Sequence, residues 1–206
     1  MPLNNDVSKV SGTKSKIVKV ASTLFSEFGY KGTSVRKIAS NVGIRESALY
    51  NHFKNKEEIF LEVASNIFSS ALKENSEALK EDALKGKPFL NRFAMQYKLI
   101  TFDKNNENMF RILLIELLQN KELREKFMEE FHNKNIKTLA EGFFIMMQNG
   151  LIRSSDPMII AYEFLSTLFY IRLQVTLLRF DSNSTNALAT QFEKHVDFFW
   201  ESIKES

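Results

Sequence analysis

Apolar residues recur at three- and four-residue steps along nearly the whole chain, and no stretch sustains the strict alternation of a strand, so the pattern predicts an all-α fold. Ile17, Val20, Ala21, Leu24, Phe25 and Phe28 form the first such stripe, and Gly29 stands where a left-handed cap ends a helix. Thr33 or Ser34 can cap a second helix whose inner face is Val35, Ile38, Ala39 and Val42, and Gly43 breaks it. A third, short helix is predicted over about 45–51, with Ile44, Ala48, Leu49 and Phe53 turned inward; Asn55 can cap a fourth. Longer helices follow at about 56–80, from Pro88, at about 106–118 and at about 121–148. Asp156 before Pro157 starts another that continues to about Phe180. A last helix carries Leu188, Phe192, Val196, Phe199 and Ile203 on one stripe, giving about nine helices in all. Met1 to Thr13 is polar and aperiodic. The chain therefore divides into a flexible tail (1–13), a small module of three helices (14–60) and a larger helical body (61–206).

Composition narrows what this body can do. Hydrophobic residues make up 44% of the 206, enough for a real core, and there is no cysteine, which excludes disulfides, thiolate nucleophiles and cysteine-ligated metals. Met1 to Thr13 lacks the apolar core of a signal peptide, and no run of about 18 apolar residues suggests a bilayer span, so a cytoplasmic location and no membrane partner are expected. His132 and His195 have no metal-ligand spacing to each other or to carboxylates, and no nucleophile stands with a base in a recognisable motif; no metal, no cofactor and no enzymatic activity are expected. The net charge of +3 is unevenly placed. Residues 1–60 hold ten Lys/Arg against five Asp/Glu, whereas 61–206 hold eighteen against twenty. A basic small module on a slightly acidic body suits a polyanionic partner.

The small module also has the parts of a helix-turn-helix: two short helices, a small residue between them at Gly43, and a second helix with one anchoring face. In Arg45-Glu46-Ser47-Ala48-Leu49-Tyr50-Asn51-His52, Ala48 and Leu49 can anchor while the others face outward. The run from Ile17 through Phe60 resembles the TetR family of transcriptional regulators. The resemblance rests on Phe25-Ser26-Glu27-Phe28-Gly29-Tyr30-Lys31-Gly32-Thr33-Ser34-Val35-Arg36-Lys37-Ile38-Ala39, then Val42-Gly43, then Leu49-Tyr50-Asn51-His52-Phe53-Lys54-Asn55-Lys56-Glu57. It covers about a quarter of the chain, and several fixed spacings agree at once. The segment from Gly150 to Pro157 is similar, less specifically, to the family's entry into its dimerisation helices.

The resemblance implies double-stranded operator DNA as partner, with Tyr50, His52 and Lys56 on phosphates and Thr33 and Ser34 offering hydroxyls and helix-end amides. Arg36, Arg45, Glu46, Ser47 and Asn51 occupy the family's base-reading places, where Arg suits guanine and Asn suits adenine. Glu46 either accepts from cytosine or pairs with Arg45 or a nearby lysine. Singly, Tyr50 and His52 could equally be packing or surface residues; it is their joint register that carries weight.

The body holds fifteen of the nineteen phenylalanines. By itself an aromatic interior reads as plain core, while the resemblance implies a small, largely apolar effector in a cavity lined by Phe68, Leu72, Phe93, Tyr97, Phe110, Leu114, Glu116, Leu117, Phe131, Phe143, Met147 and Phe169. Glu116, embedded in an apolar run, meets either a cationic ligand or a lysine or arginine of a neighbouring helix. The resemblance further implies a homodimer through the last two helices, with Phe192, Val196, Phe199 and Trp200 at the interface, or else burial of that stripe within one subunit. The implied function is a repressor released from a palindromic operator by its effector, with the helix from Lys56 as lever. A DNA-bound activator, or an architectural or partner-recruiting protein without an effector, shares every feature of the first sixty residues.

Overall fold

The computed structural model describes residues 5–68, 76–129 and 133–205. Its described residues form twelve helical segments: α1 (Asn5–Phe28), α2 (Val35–Val42), α3 (Glu46–Tyr50), α4 (Lys56–Phe68), α5 (Ser76–Ala83), α6 (Lys87–Phe102), α7 (Lys104–Gln119), α8 (Lys121–Phe127), α9 (Asn133–Gln148), α10 (Pro157–Phe180), α11 (Asn186–Ala189) and α12 (Gln191–Ile203). The all-α reading holds. The chain forms two compact units: residues up to Ile67 with Asn108–Phe127, and Phe68–Glu107 with Met128–Ser206.

Several helix ends lie where the sequence places them. Pro88 occupies the first turn of α6, where a missing N–H costs nothing. Asp156 caps α10, its carboxylate accepting from Met158 N at 2.8 Å and Ile159 N at 3.3 Å. Asn55 caps α4, Oδ1 accepting from Glu58 N at 2.8 Å while the Glu58 carboxylate reaches back to Lys54 N. Other ends differ. The expected tail is helical from Asn5, because Asn5–Thr13 holds no proline and extends a helix already nucleated by the buried stripe that begins at Ile17. The expected helix at 121–148 is described as α8 and α9, and the expected helix at 56–80 as α4 and α5, with residues 69–75 outside the described set.

In the first unit, Ile17, Ala21, Leu24 and Phe25 of α1, Ile38, Ala39 and Val42 of α2, Leu49 of α3, and Phe60 and Ala64 of α4 are all buried. Phe25, Tyr30 and Phe60 form a ring triad with centroids 4.9–5.8 Å apart. The second unit's core draws Phe89, Phe93 and Tyr97 from α6, Leu139, Phe143 and Met146 from α9, Phe164, Leu168 and Ile171 from α10, and Phe192, Val196 and Phe199 from α12. An antiparallel bridge between Ile152 and Lys204 ties the α9–α10 connection to the end of α12. By length and composition α10 is apolar enough to cross a membrane, a run the sequence reading did not expect. Its most apolar stretch is 44% buried in the protein, and it carries Arg172 into the core, as a core helix does.

Candidate nucleic-acid interface

The turn before α2 is held from inside. Thr33 is fully buried, and its hydroxyl lies 3.0 Å from the Leu24 carbonyl and 2.9 Å from the Gly29 carbonyl, donating into the end of α1. This corrects its expected place on the backbone of DNA: the hydroxyl closes the α1–α2 turn. Ser34 is exposed and is the cap, Oγ accepting from Lys37 N at 3.1 Å. Arg36 and Lys37 then open α2. Phe28, expected inward, is exposed at the end of α1 and lies beneath the Lys37 ammonium, 3.0 Å from the ring centroid.

α2 ends at Gly43 in the left-handed conformation, φ 81°, which a side chain would strain. Gly43 N and Ile44 N both donate to the Ala39 carbonyl at 3.0 Å, so the chain reverses sharply and releases Arg45 into extended backbone at the start of α3. Leu49 is fully buried and Ala48 half-buried, which turns Arg45, Glu46, Ser47, Tyr50 and Asn51 to solvent, with Tyr50 49% exposed. His52 is half-buried and donates its backbone N–H to the Leu49 carbonyl. Buried Phe53 anchors the following turn beneath the Lys14 ammonium, 5.3 Å from the ring centroid. Glu46 lies in the first turn of α3, and among the described residues it makes no ion pair with Arg45 or a lysine; favourable placement near a helix start accounts for it.

Lys56 is turned inward. Its ammonium donates to the Tyr30 carbonyl at 3.0 Å and lies 4.0 Å from the Tyr30 ring centroid. A lysine in a first helical turn sits against the positive end of the helix, and here a carbonyl and a ring face offset that cost in place of the expected phosphate. Tyr30 in turn donates its hydroxyl to Glu57 at 2.7 Å. Burial, followed by the Glu57 carboxylate, pushes this phenol far up. The same unit carries two polar ties from the first helices to α7–α8, Lys31 to Gln119 at 2.8 Å and Asn55 to Glu122 at 3.4 Å. Nothing in the sequence pattern pointed to them.

The twelve expected cavity residues fall in different places. Leu72 and Phe131 lie outside the described residues, as does the side chain of Phe68. Phe110, Leu114, Glu116 and Leu117 belong to the first unit. Glu116 is buried there and acts through its charge on Tyr30; among the described residues no lysine or arginine pairs with it, so the expected salt bridge is not formed. Phe93, Tyr97 and Phe143 come together in the second unit's core with Met147 against it, Phe93 and Tyr97 stacking at 6.4 Å. Phe169 is half-buried on α10 of that unit.

The expected dimer residues need correction too. Phe192, Val196 and Phe199 are buried within the second unit, and Trp200 packs partly buried against the same core. What α10 leaves outside is a second apolar stripe, Ile159, Tyr162, Tyr170, Leu177 and Phe180, at three-, seven- and eight-residue spacings. Phe198 of α12 is 76% exposed. The readable signal was α10 itself, apolar on more faces than one core can cover.

Residues 17–63 match the family model of bacterial regulatory proteins of the tetR family, and residues 88–201 match that of the AefR-like transcriptional repressor C-terminal domain. The biofilm operon icaADBC HTH-type negative transcriptional regulator IcaR of Staphylococcus epidermidis is 46% identical over 56 residues, 27% of this chain and 30% of that protein, so the match spans less than a third of that relative's length. The uncharacterized HTH-type transcriptional regulator YhgD of Bacillus subtilis is 28% identical over 165 residues, covering 78% of this chain and 81% of that one. Among solved structures, the flavonoid-responsive regulator FrrA superposes with a TM-score of 0.65 at 26% identity, over 94% of this chain and 98% of that one.

Proposed function

Because the chain belongs to the TetR family of bacterial regulatory proteins, a family of DNA-binding regulators with a ligand-binding C-terminal domain, we propose that it is a cytoplasmic homodimeric repressor, released from a palindromic operator by a small, largely apolar effector. The observation that carries the DNA-binding half is the solvent-facing row of Arg45, Ser47, Tyr50 and Asn51, held on a short helix by buried Leu49. Arg36, Arg45, Glu46, Ser47 and Asn51 read base edges, and Ser34, Tyr50 and His52 contact phosphates; Thr33 and Lys56 support the reading helices from within. A related negative regulator supports repression, and a flavonoid-responsive neighbour supports release by a ligand.

The second copy seats on the exposed stripe of α10 together with Phe198, since an apolar helix face of that length favours a partner helix over water. Dimerisation sets two reading helices about one DNA turn, ~34 Å, apart, and a ligand preferring another spacing lowers DNA affinity by its differential affinity for the two states. In the second unit Phe93, Tyr97, Phe143, Met147 and Phe169 are the effector's neighbours.

The test is selection of binding sequences from random duplex DNA with the purified protein, followed by titration of the winner at two salt concentrations. A palindromic site with a steep salt slope is expected. Enrichment of a single, non-repeated half-site would contradict the dimeric reading, and no enrichment would contradict sequence-specific binding.

A further inference from the structure

The corner between α9 and α10 is closed by two interlocked hydrogen bonds. Leu151 N donates to the Met146 carbonyl at 2.9 Å and Gly150 N to the Met147 carbonyl at 3.1 Å, around a left-handed Gly150 at φ 65°. Asn149 stands just before that glycine. It is exposed, its backbone N–H donates to the Ile145 carbonyl at 3.2 Å, and its Nδ2 donates to the same carbonyl at 2.7 Å. The corner also holds the far end of the unit: Ile152 bridges Lys204, Arg153 N donates to the Ile203 carbonyl at 3.0 Å, and Glu205 N donates to the Leu151 carbonyl at 3.1 Å.

Of the asparagines in the chain, Asn149 alone precedes a glycine. An asparagine amide carbon can reach the backbone nitrogen of the next residue, because the ring they close has five members, and a Cβ on that next residue hinders the approach. Gly150 has none, and the space where one would stand is open out to 4 Å. What holds its nitrogen back is the hydrogen bond to Met147, together with the Nδ2 bond that fixes the amide. Both belong to the last turn of a helix, which frays before the rest.

We propose that Asn149 is a site of spontaneous covalent modification, a deamidation in which water is the only reagent and opening of the α9 end sets the rate. In the first step Gly150 N bonds to Asn149 Cγ, and Nδ2 leaves as ammonia with the proton that Gly150 N sheds. Water then opens the succinimide. Breaking the bond to Cγ gives aspartate; breaking the bond to the Asn149 backbone carbonyl gives isoaspartate, whose main chain runs through Cβ and Cγ. Nothing is oxidised or reduced. Either product weakens the corner, since a carboxylate has no N–H for the Ile145 carbonyl and puts negative charge at the negative end of α9. Isoaspartate also lengthens the main chain by one atom, so Gly150 N and Leu151 N lose register with Met147 and Met146, and the ties to Ile203, Lys204 and Glu205 loosen. The site is independent of operator and effector.

The full-length protein is incubated at mildly alkaline pH, native and in concentrated urea, then digested for peptide mass spectrometry that separates aspartate from isoaspartate. In the native protein Asn149 is expected to convert ahead of every other asparagine, including Asn75 and Asn183, which precede serine. In urea the same site is expected to convert roughly five- to thirtyfold faster, the factor set by opening its hydrogen bonds. Asn149→Gln, which would have to close a six-membered ring, is expected to stay unmodified at that position with an unchanged thermal midpoint. Asn149→Asp is expected to lower the midpoint, and the isoaspartate fraction of aged wild type to unfold at a lower temperature still. No conversion at Asn149 in the native protein, or earlier conversion of another asparagine, would overturn the site. Equal rates in native and urea samples would overturn control by the α9 end, and aged protein and Asn149→Asp as stable as fresh wild type would overturn the cost assigned to the corner.

Discussion

Thr33→Val separates a structural hydroxyl from a DNA-binding one. Valine keeps the branched shape and nearly the volume, so the perturbation is the loss of one buried donor near the Leu24 and Gly29 carbonyls. The Gly29 carbonyl lies past the last residue of α1, where the helix ladder cannot serve it. Leaving a buried acceptor without its donor costs about 1–3 kcal/mol. With a urea m-value of about 2–3 kcal/mol per M, the unfolding midpoint should fall by roughly 0.3–1.5 M. Operator affinity, measured by fluorescence anisotropy well below that midpoint, should change by less than about twofold, because no Thr33 atom reaches the surface and RT ln 2 is small against any lost phosphate contact. Ser34→Ala is the companion: removing a cap costs about 1 kcal/mol and also strips an exposed hydroxyl, so both readouts should move. An unchanged urea midpoint for Thr33→Val together with uniformly weakened DNA binding would refute the reasoning and return Thr33 to the interface.

Leu177→Glu, on the exposed stripe of α10, should convert the dimer to monomer by sedimentation velocity while leaving the fold intact; an unshifted dimer would move the interface elsewhere. Phe192→Ala should do the opposite, keeping the association state but losing about 3–5 kcal/mol of stability, since the ring is buried within its own unit. His195 donates to the Phe164 carbonyl at 3.1 Å, and burial holds its imidazole below the ordinary 6.5. The unfolded chain then binds the proton more readily, so this contribution is fully present above about pH 6.5 and is lost as pH falls through the folded value. The urea midpoint of the wild type should drop more between pH 7.5 and pH 5 than that of His195→Gln, and an equal drop would exonerate His195.

Helix ends and anchors in both units were legible because local chemistry decides them. Gly43 must cap, Leu49 must anchor, Asp156 and Pro157 must start a helix, and the structure follows each. What failed was what local pattern cannot carry. The periodic stripe of Phe192, Val196 and Phe199 says that a face is covered but not by which chain, and α6 and α10 of the same protomer cover it. Thr33 and Lys56 have the right chemistry for phosphate, and only tertiary placement shows their polar atoms committed to Leu24, Gly29 and Tyr30. Glu116 was readable as buried, yet its neighbour Tyr30 is eighty-six positions away in sequence, beyond any spacing argument. Arg172 did leave a signal, a lone arginine amid Tyr170-Ile171 and Leu173, of the kind that marks a buried charge in an apolar helix.

The central claim is that the outward face of α3 reads DNA. The most direct measurement is the affinity of wild type, Tyr50→Ala and Asn51→Ala for the selected operator, for single-base variants of it and for a random duplex. Tyr50→Ala should weaken binding to all of them alike, while Asn51→Ala should lose about 1–3 kcal/mol on the operator, little on the random duplex, and its preference at one base position per half-site. Operator affinity unchanged by both substitutions would contradict the account.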